Sequence, residues 1–206
     1  MRLPLPGRFN VANALASLAV IEALGLDVHH AARALEGTRG VPGRMERVDV
    51  GQPFAVVVDY AHTADSLRKV LEILRPVTTG RLVVVFGSAG ERDATKRAPM
   101  GRVAAELADL LIVTDEDPRL EDPRTINEQI ADGARAAGAV DGERLWVIDD
   151  RREAIGHGIG LAREGDVVLL AGKGHEQSIV VGTKSRPWDD RRVAREALVA
   201  AGWGRR

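Results

Sequence analysis

The sequence contains no cysteine, and this absence removes several kinds of chemistry. Without thiols the chain can form no disulfide, has no thiol nucleophile and offers no thiolate ligand to zinc. A chain of 206 residues can bury a core large enough to need neither a disulfide nor a structural metal. We therefore expect a cytoplasmic protein without a metal site of its own.

Aromatic residues, excess charge and long apolar segments are also scarce. Three Trp, one Tyr and three Phe are too few to form base-stacking platforms. Twenty-nine basic residues against 30 acidic ones give a net charge of −1, which provides no electrostatic argument for a nucleic-acid or membrane partner. Apolar runs such as 83–86 have the length of a strand, far below the roughly 20 residues that span a bilayer.

The first 41 residues differ in pattern from the rest of the chain. Apolar residues at three- and four-residue spacing predict a helix over 10–24, with Asn10 as its N-cap and Gly25 at its end. A second helix is predicted over 28–35, and the Gly-Val-Pro-Gly segment at 40–43 follows as a strong break. We therefore predict a helical segment over 1–41 and a separate domain over 42–206.

In the second segment, apolar runs of strand length alternate with helical stretches. This order predicts an α/β fold of Rossmann type, with a mostly parallel sheet and helices on both faces. The predicted strands are 55–58, 82–86, 110–113, 145–148 and 167–171, and the predicted helices are 65–74, 99–107, 126–137 and 152–163. A hairpin at 179–184 and a last helix over 189–200 complete the prediction.

Charged and glycine-rich residues follow four of the predicted strands. In an open parallel sheet the ligand lies beyond the carboxyl ends of the strands, so these residues mark a candidate site. They are the segments 59–63, 87–93, 114–119 and 172–176.

Each of these segments allows a functional and a purely structural interpretation. Arg92, in a glycine turn, could bind a carboxylate or phosphate, or could form a surface ion pair. The segment 115–119 suits a ligand with both an ammonium and a carboxylate, or is a solvated loop. Gly-Lys-Gly at 172–174 is only part of a phosphate loop, whereas Glu176 could bind an ammonium. Asp59 could accept hydrogen bonds from sugar hydroxyls. No catalytic triad and no metal-ligand spacing is present.

Six segments, taken in order, resemble the Mur ligase family. They are 7–13 (GRFNVAN), 42–46 (PGRME), 58–63 (VDYAHT), 86–101 (Phe-Gly through Met-Gly), 117–119 (DPR) and 171–176 (AGKGHE). The resemblance implies a three-domain ligase, of which residues 1–41 would be the last helices of the central ATPase domain. Residues 42–206 would be the C-terminal, Rossmann-like domain for the incoming amino acid.

The resemblance also implies roles for individual residues. Five residues match positions that contact the nucleotide. Asn10 and Asn13 would lie near the adenine, Arg44 near the phosphates and Asp59 near the ribose, and His62 would also contact the nucleotide. Residues matching the positions that hold a diamino acid are Arg92, Asp117, Arg119, Gly172 and Glu176. The implied cofactors are ATP and Mg²⁺, with the magnesium ligands mostly outside this chain. No residue is assigned as catalytic or metal-binding.

The implied reaction joins a diamino acid to UDP-N-acetylmuramoyl-L-alanyl-D-glutamate in peptidoglycan synthesis. ATP would convert the D-glutamyl carboxylate into an acyl phosphate, which the amine attacks with loss of phosphate. The chain has no counterpart of the family's phosphate loop or UDP-binding domain. We therefore expect no ligation by this chain alone, and a separate chain could carry the missing domains.

One departure from the family pattern leaves the amino acid open. Asp117 stands where the diaminopimelate-type pattern has Asn, and its added negative charge would favour lysine or ornithine. Arg119 instead favours a distal carboxylate, as in meso-diaminopimelate, which we prefer. Two other functions remain alternatives: a non-catalytic module that binds an amino acid or nucleotide, and another ligase of the superfamily, of the folylpolyglutamate or cyanophycin synthetase type.

Overall fold

The computed structural model describes residues 3, 7–38 and 40–204, without the side chains of residues 8 and 9. The chain divides into two compact units, Met1–Val41 and Pro42–Arg206. Within the described residues, no helix combines the length and the apolar character that a membrane crossing requires.

The first unit consists of two helices, α1 (Arg8–Ala23) and α2 (Val28–Glu36). The predicted cap of α1 is wrong: Gly7, with a φ of 95°, occupies the N-cap, and Asn10 lies in the first turn. The amide of Asn10 already donates to the carbonyl of Gly7 (3.0 Å), so Asn10 continues the helix. The end of α1 agrees with the prediction, since Gly25 has the positive φ of 69° that ends many helices.

The second unit is built on a six-stranded sheet. Its strands are β1 (Glu46–Val48), β2 (Ala55–Asp59), β3 (Leu82–Phe86), β4 (Leu110–Val113), β5 (Leu145–Val147) and β6 (Val167–Ala171). Their spatial order is β1-β2-β6-β3-β4-β5, in which β1 is antiparallel and the other pairs are parallel. A separate antiparallel hairpin joins β7 (Ser178–Val181) and β8 (Lys184–Pro187).

Helices cover both faces of this sheet, as alternating strands and helices predict. One face is packed by α3 (Ala64–Leu74), α4 (Arg97–Leu107) and α5 (Pro123–Ala136). The opposite face is packed by α6 (Arg151–Leu161) and α7 (Asp190–Ala200). All three tryptophans, Trp146, Trp188 and Trp203, pack against this second face.

The predicted α/β class and the five parallel strands are confirmed, with eight of the ten strand ends as predicted and most helix ends displaced by one to three residues. The sequence did not predict β1, which has three residues and only one fully buried side chain, Val48. So short a strand gives no readable alternation, and its pairing with β2 depends on the tertiary fold.

Candidate functional site

The carboxyl ends of four neighbouring strands surround a cavity of about 380 Å³. Asp59 at the end of β2 is level with Ala171 of β6, and Phe86 of β3 is level with Val113 of β4. The loops after these strands therefore leave the sheet at one edge. This is the position at which open α/β sheets bind ligands.

Three cationic side chains line the cavity: Arg92, Lys96 and Arg119. Lys96 donates to the carbonyl of His62 (2.8 Å). Within the described part of the chain, the guanidinium of Arg119 makes no hydrogen bond or ion pair, and its buried Nε has no partner. Arg92 is exposed at the cavity wall. The two guanidinium groups are thus available for an anionic group such as a carboxylate.

Glu116 adds a buried carboxyl group to the cavity that these cationic side chains line. Its side chain lines the cavity, and its Oε2 has no hydrogen-bond partner within the described residues. Burial raises the pKa of Glu116 to about 7, although the positive charges of Lys96, Arg151 and Lys173 oppose that rise. Gly172 lies against it, since a Cβ on this glycine would stand 3.1 Å from Glu116 Oε2.

Lys173 is fully buried next to the cavity and contacts two carboxylates. Its Nζ lies 2.9 Å from Asp117 Oδ1 and 2.6 Å from Glu176 Oε2. Asp117 Oδ1 also accepts the amide of Val180 (2.9 Å), and the Tyr60 hydroxyl donates to Glu176 Oε1 (3.4 Å). The two predicted acidic residues are therefore already engaged inside the protein.

The loops around the cavity are held in fixed positions by close backbone contacts. The amide of Gly90 donates to the carbonyl of Asp117 (2.8 Å), and a Cβ on Gly90 would lie only 2.0 Å from the carbonyl oxygen of Pro118. Arg119 has a φ of 55°, and its amide donates to the carbonyl of Val180 in β7 (3.1 Å). The hairpin thereby fixes the backbone of the residue whose guanidinium faces the cavity.

The buried side chain of Arg151 connects the backbone after β4 with the end of β6. Its guanidinium donates to the carbonyls of Asp115 (3.3 Å) and Ala171 (2.9 Å), at the ends of β4 and β6. It also forms an ion pair with Asp190 of α7 (2.6 Å), whose side chain is equally buried. Removing either partner of such a pair would leave an uncompensated buried charge. Because the same guanidinium also binds both carbonyls, it holds the two strand ends at a fixed spacing.

The residues assigned to a nucleotide are distributed over both units. In the second unit, the Arg44 guanidinium lies 4.6 Å from the centre of the Tyr60 ring, and the His62 ring lies 4.6 Å from the same ring. Asp59 is buried and accepts the amides of Met45 (2.8 Å) and Ala61 (2.9 Å). Burial raises the pKa of Asp59, and these hydrogen bonds partly offset the rise.

Asn10 and Asn13 lie in α1, within the first unit, and each unit is described by itself. The backbone carbonyl of Asn13 accepts a hydrogen bond from Ser17 (2.9 Å).

The described residues contain no group of three or more His, Asp or Glu side chains that could hold a metal ion. Asn127 connects two acidic side chains nearby, donating to Asp115 (2.9 Å) and Asp149 (3.2 Å). Because this amide occupies the space between the carboxylates, the arrangement is a hydrogen-bonded support for the strand ends. No chemical step is assigned to magnesium in this chain.

Five of the predicted residues line the same cavity: His62, Arg92, Asp117, Arg119 and Glu176. Sequence reasoning assigned no function to Tyr60, Lys96, Glu116 or Lys173. Glu116 and Lys173 lie inside segments that had been singled out, so their position in the motif was a usable signal. Lys96 also lies inside a matching segment, 86–101, and ends a short 3-10 helix, Ala94–Lys96.

Comparisons with known proteins identify the family of this chain. The family described as "Mur ligase, glutamate ligase domain" matches residues 43–174. A UDP-N-acetylmuramyl-tripeptide synthetase from Roseiflexus sp. is 53% identical over 98% of this chain and 40% of the relative. A UDP-N-acetylmuramoyl-L-alanyl-D-glutamate–2,6-diaminopimelate ligase from Streptomyces avermitilis is 49% identical over 96% of this chain and 39% of the relative.

A solved structure of a UDP-N-acetylmuramoyl-L-alanyl-D-glutamate–2,6-diaminopimelate ligase matches with a TM-score of 0.72 and 36% identity. The match covers 98% of this chain and 40% of the solved one. The chain thus spans about 40% of the length of the relatives it matches. On the family match and these identities, the chain belongs to the Mur ligase family.

Proposed function

We propose that this chain binds the incoming diamino acid for an ATP-dependent ligase that extends UDP-N-acetylmuramoyl-L-alanyl-D-glutamate in peptidoglycan synthesis. The favoured amino acid is meso-diaminopimelate. The observation that carries the proposal is the cavity lined both by Arg119, whose guanidinium has no partner among the described residues, and by the buried carboxyl groups of Glu116 and Asp117. Such a cavity is complementary to a group that carries a carboxylate and an ammonium together.

The names of the relatives support the same amino acid. Several relatives at 46–50% identity are named as 2,6-diaminopimelate ligases. The match covers only about 40% of the length of each relative, so the proposed reaction needs domains beyond those in this chain. The remaining domains would stand in the same polypeptide or on a partner chain.

In this assembly the role of the chain is to hold the amine donor. ATP would transfer a phosphoryl group to the D-glutamyl carboxylate, and the amine nitrogen would attack the acyl carbon. The amine loses a proton, the carbon–oxygen bond to phosphate breaks and an amide forms. Restricting the amine to one orientation is worth several kcal/mol of the barrier, roughly 7–11 for ideal alignment.

We further propose that the surface around Tyr60 contacts the nucleotide. The exposed Arg44 guanidinium would approach the phosphates, with His62 beside it, and Asp59 would contact the ribose through lone pairs that its two amide partners leave free. As a separate proposal for the first unit, Asn10 and Asn13 would contact an adenine. ATP supplies the phosphoryl group, and its magnesium would be held mostly by residues outside this chain.

Calorimetric titration of the purified chain with meso-diaminopimelate, L-lysine and L-ornithine tests the amino-acid proposal. We expect saturable binding of meso-diaminopimelate, weakened at least tenfold by Arg119→Ala because the carboxylate loses its cationic partner. Arg102→Ala, an exposed arginine on α4, is the matched control and should leave binding unchanged. Equal affinity for diaminopimelate in both variants would refute the assigned role of Arg119.

A further inference from the structure

The charge of the cavity depends on a buried cation that does not itself line it. The Lys173 side chain is 1% exposed, and its ammonium lies between Asp117 and Glu176. A buried ammonium is tolerated only when anionic partners offset its loss of hydration. Lys173 and these two carboxylates are referred to below as the Lys173 triad.

Asp117 uses one oxygen for two internal donors. Its Oδ1 accepts both the Lys173 ammonium (2.9 Å) and the Val180 amide (2.9 Å). The negative charge at position 117 is therefore offset within the protein by an ammonium that Glu176 shares. Read from the sequence, the same charge favoured a lysine-like ligand; its pairing removes that argument.

We propose that Lys173 is a specificity-determining residue, which neutralises Asp117 and so makes the cavity select an amino acid whose far end carries both a carboxylate and an ammonium. This inference rests on the proposed function and deepens it. One ammonium against two carboxylates leaves the Lys173 triad a formal charge of −1. Without Lys173 the triad would carry two negative charges, repel a carboxylate and attract a lone ammonium.

Two other charged groups of the cavity fit a ligand end that carries both a carboxylate and an ammonium. Arg119 carries a guanidinium with no partner among the described residues, and it can bind the distal carboxylate. Glu116 carries a buried carboxyl oxygen that likewise has no partner among those residues, and it can accept from the ammonium. Lysine has the same ammonium but no distal carboxylate, so it would leave the Arg119 guanidinium unpaired.

Four proteins with defined triad charge test the proposal: the wild type, Lys173→Met, Asp117→Asn and the double variant. The measured quantity is the affinity for meso-diaminopimelate divided by that for L-lysine, by titration followed in NMR spectra. We expect Lys173→Met to lower this ratio at least tenfold. The double variant restores the wild-type charge and should return the ratio to within about threefold of wild type.

Asp117→Asn alone removes a negative charge and should raise the ratio above the wild-type value. The matched control is Lys69→Met, which removes the same net charge on the exposed surface of α3, where Lys69 pairs with Asp65. It should leave the ratio unchanged. If Lys173→Met does not fold, Asp117→Asn and the double variant still differ by the Lys173 charge alone, and the double variant must have the lower ratio; equal ratios would contradict the proposal.

The outcomes separate this inference from the proposed function. If the wild type binds diaminopimelate but Lys173→Met weakens both amino acids equally, Lys173 has only a structural role and the inference is wrong. If the wild type binds neither amino acid, the proposed function of the cavity is wrong and the inference falls with it. A lowered ratio that the double variant restores supports both.

Discussion

At the scale of single residues, burial controls the charge of Glu116. The pKa of this carboxyl is raised from about 4.5 to about 7, with burial as the largest cause. Lys96, Arg151 and Lys173 face it with positive charge and Asp117 with negative charge. The folded state therefore holds a proton that the unfolded state releases. The resulting stabilisation is complete below pH 4.5 and is lost as the pH rises through 7.

The predicted consequence is a pH-dependent effect of Glu116→Gln on stability. Because glutamine cannot ionise, the variant should gain stability relative to wild type as the pH is raised from 5 to 8. One pKa unit corresponds to about 1.4 kcal/mol, so we expect a relative gain on the order of 2 kcal/mol. Urea unfolding at both pH values measures it, with exposed Glu143→Gln as control. A difference that is constant across this range would contradict the shifted pKa.

The position of a side chain at the cavity was predictable where its own loop marks it, whereas a contact with a distant partner was not. Arg119 was identified from its loop, since a cation after a buried strand suggests a ligand. Lys173 was not, because in Gly-Lys-Gly it reads as an exposed phosphate contact. Its pairing with Asp117 joins residues 56 positions apart, and such a contact becomes visible only in the folded chain.

At the scale of elements, glycine allows α4 and α5 to pack closely. A Cβ on Gly101 of α4 would lie 1.9 Å from the carbonyl oxygen of Ile130, and one on Gly133 of α5 would lie 2.0 Å from that of Ala98. Both neighbours are backbone atoms, which cannot move away without separating the helices. The two helices carry the Arg97 and Asn127 side chains that support the cavity loops.

We predict that Gly101→Ala destabilises the protein by about 1–3 kcal/mol or more, the usual cost of overpacking. Gly156→Ala in α6 is the matched control, because a Cβ there meets no atom within 4 Å. Removing a helical glycine at such a site should be neutral or stabilise by up to about 1 kcal/mol. Thermal unfolding of both variants measures the difference. Equal stability would show that the helices can separate without cost.

The elements themselves were largely predictable because the parallel strands are continuous apolar runs. The exception, β1, lies at the antiparallel edge, and its pairing with β2 is long-range information. The spatial order of the strands was not predicted either. It requires β6, the last strand of the sheet in sequence, to lie between β2 and β3.

At the scale of the whole molecule, the core belongs to one unit. The apolar clusters on both faces of the sheet consist entirely of residues from the Pro42–Arg206 unit. Helix α2 has no buried side chain, and helices of this length are marginal alone. The two units should therefore differ in their ability to fold independently.

We predict that a fragment of residues 42–206 unfolds in one cooperative transition and retains slow hydrogen exchange in its strands. A peptide of residues 1–41 should have little helix by circular dichroism. The cavity lies within the larger fragment, so its binding of diaminopimelate should match that of the full chain. A fragment without a cooperative transition would mean that the helical segment is needed to complete the core.

The placement of the aromatic side chains also has an optical consequence. All three tryptophans pack against the sheet face covered by α6 and α7, whereas the single tyrosine, Tyr60, lines the cavity. Tryptophan emission will therefore follow melting of one side of the protein and will be silent when a small molecule enters the site. Isotope labelling of tyrosine, by contrast, makes Tyr60 a single NMR reporter at the cavity without attaching a foreign group.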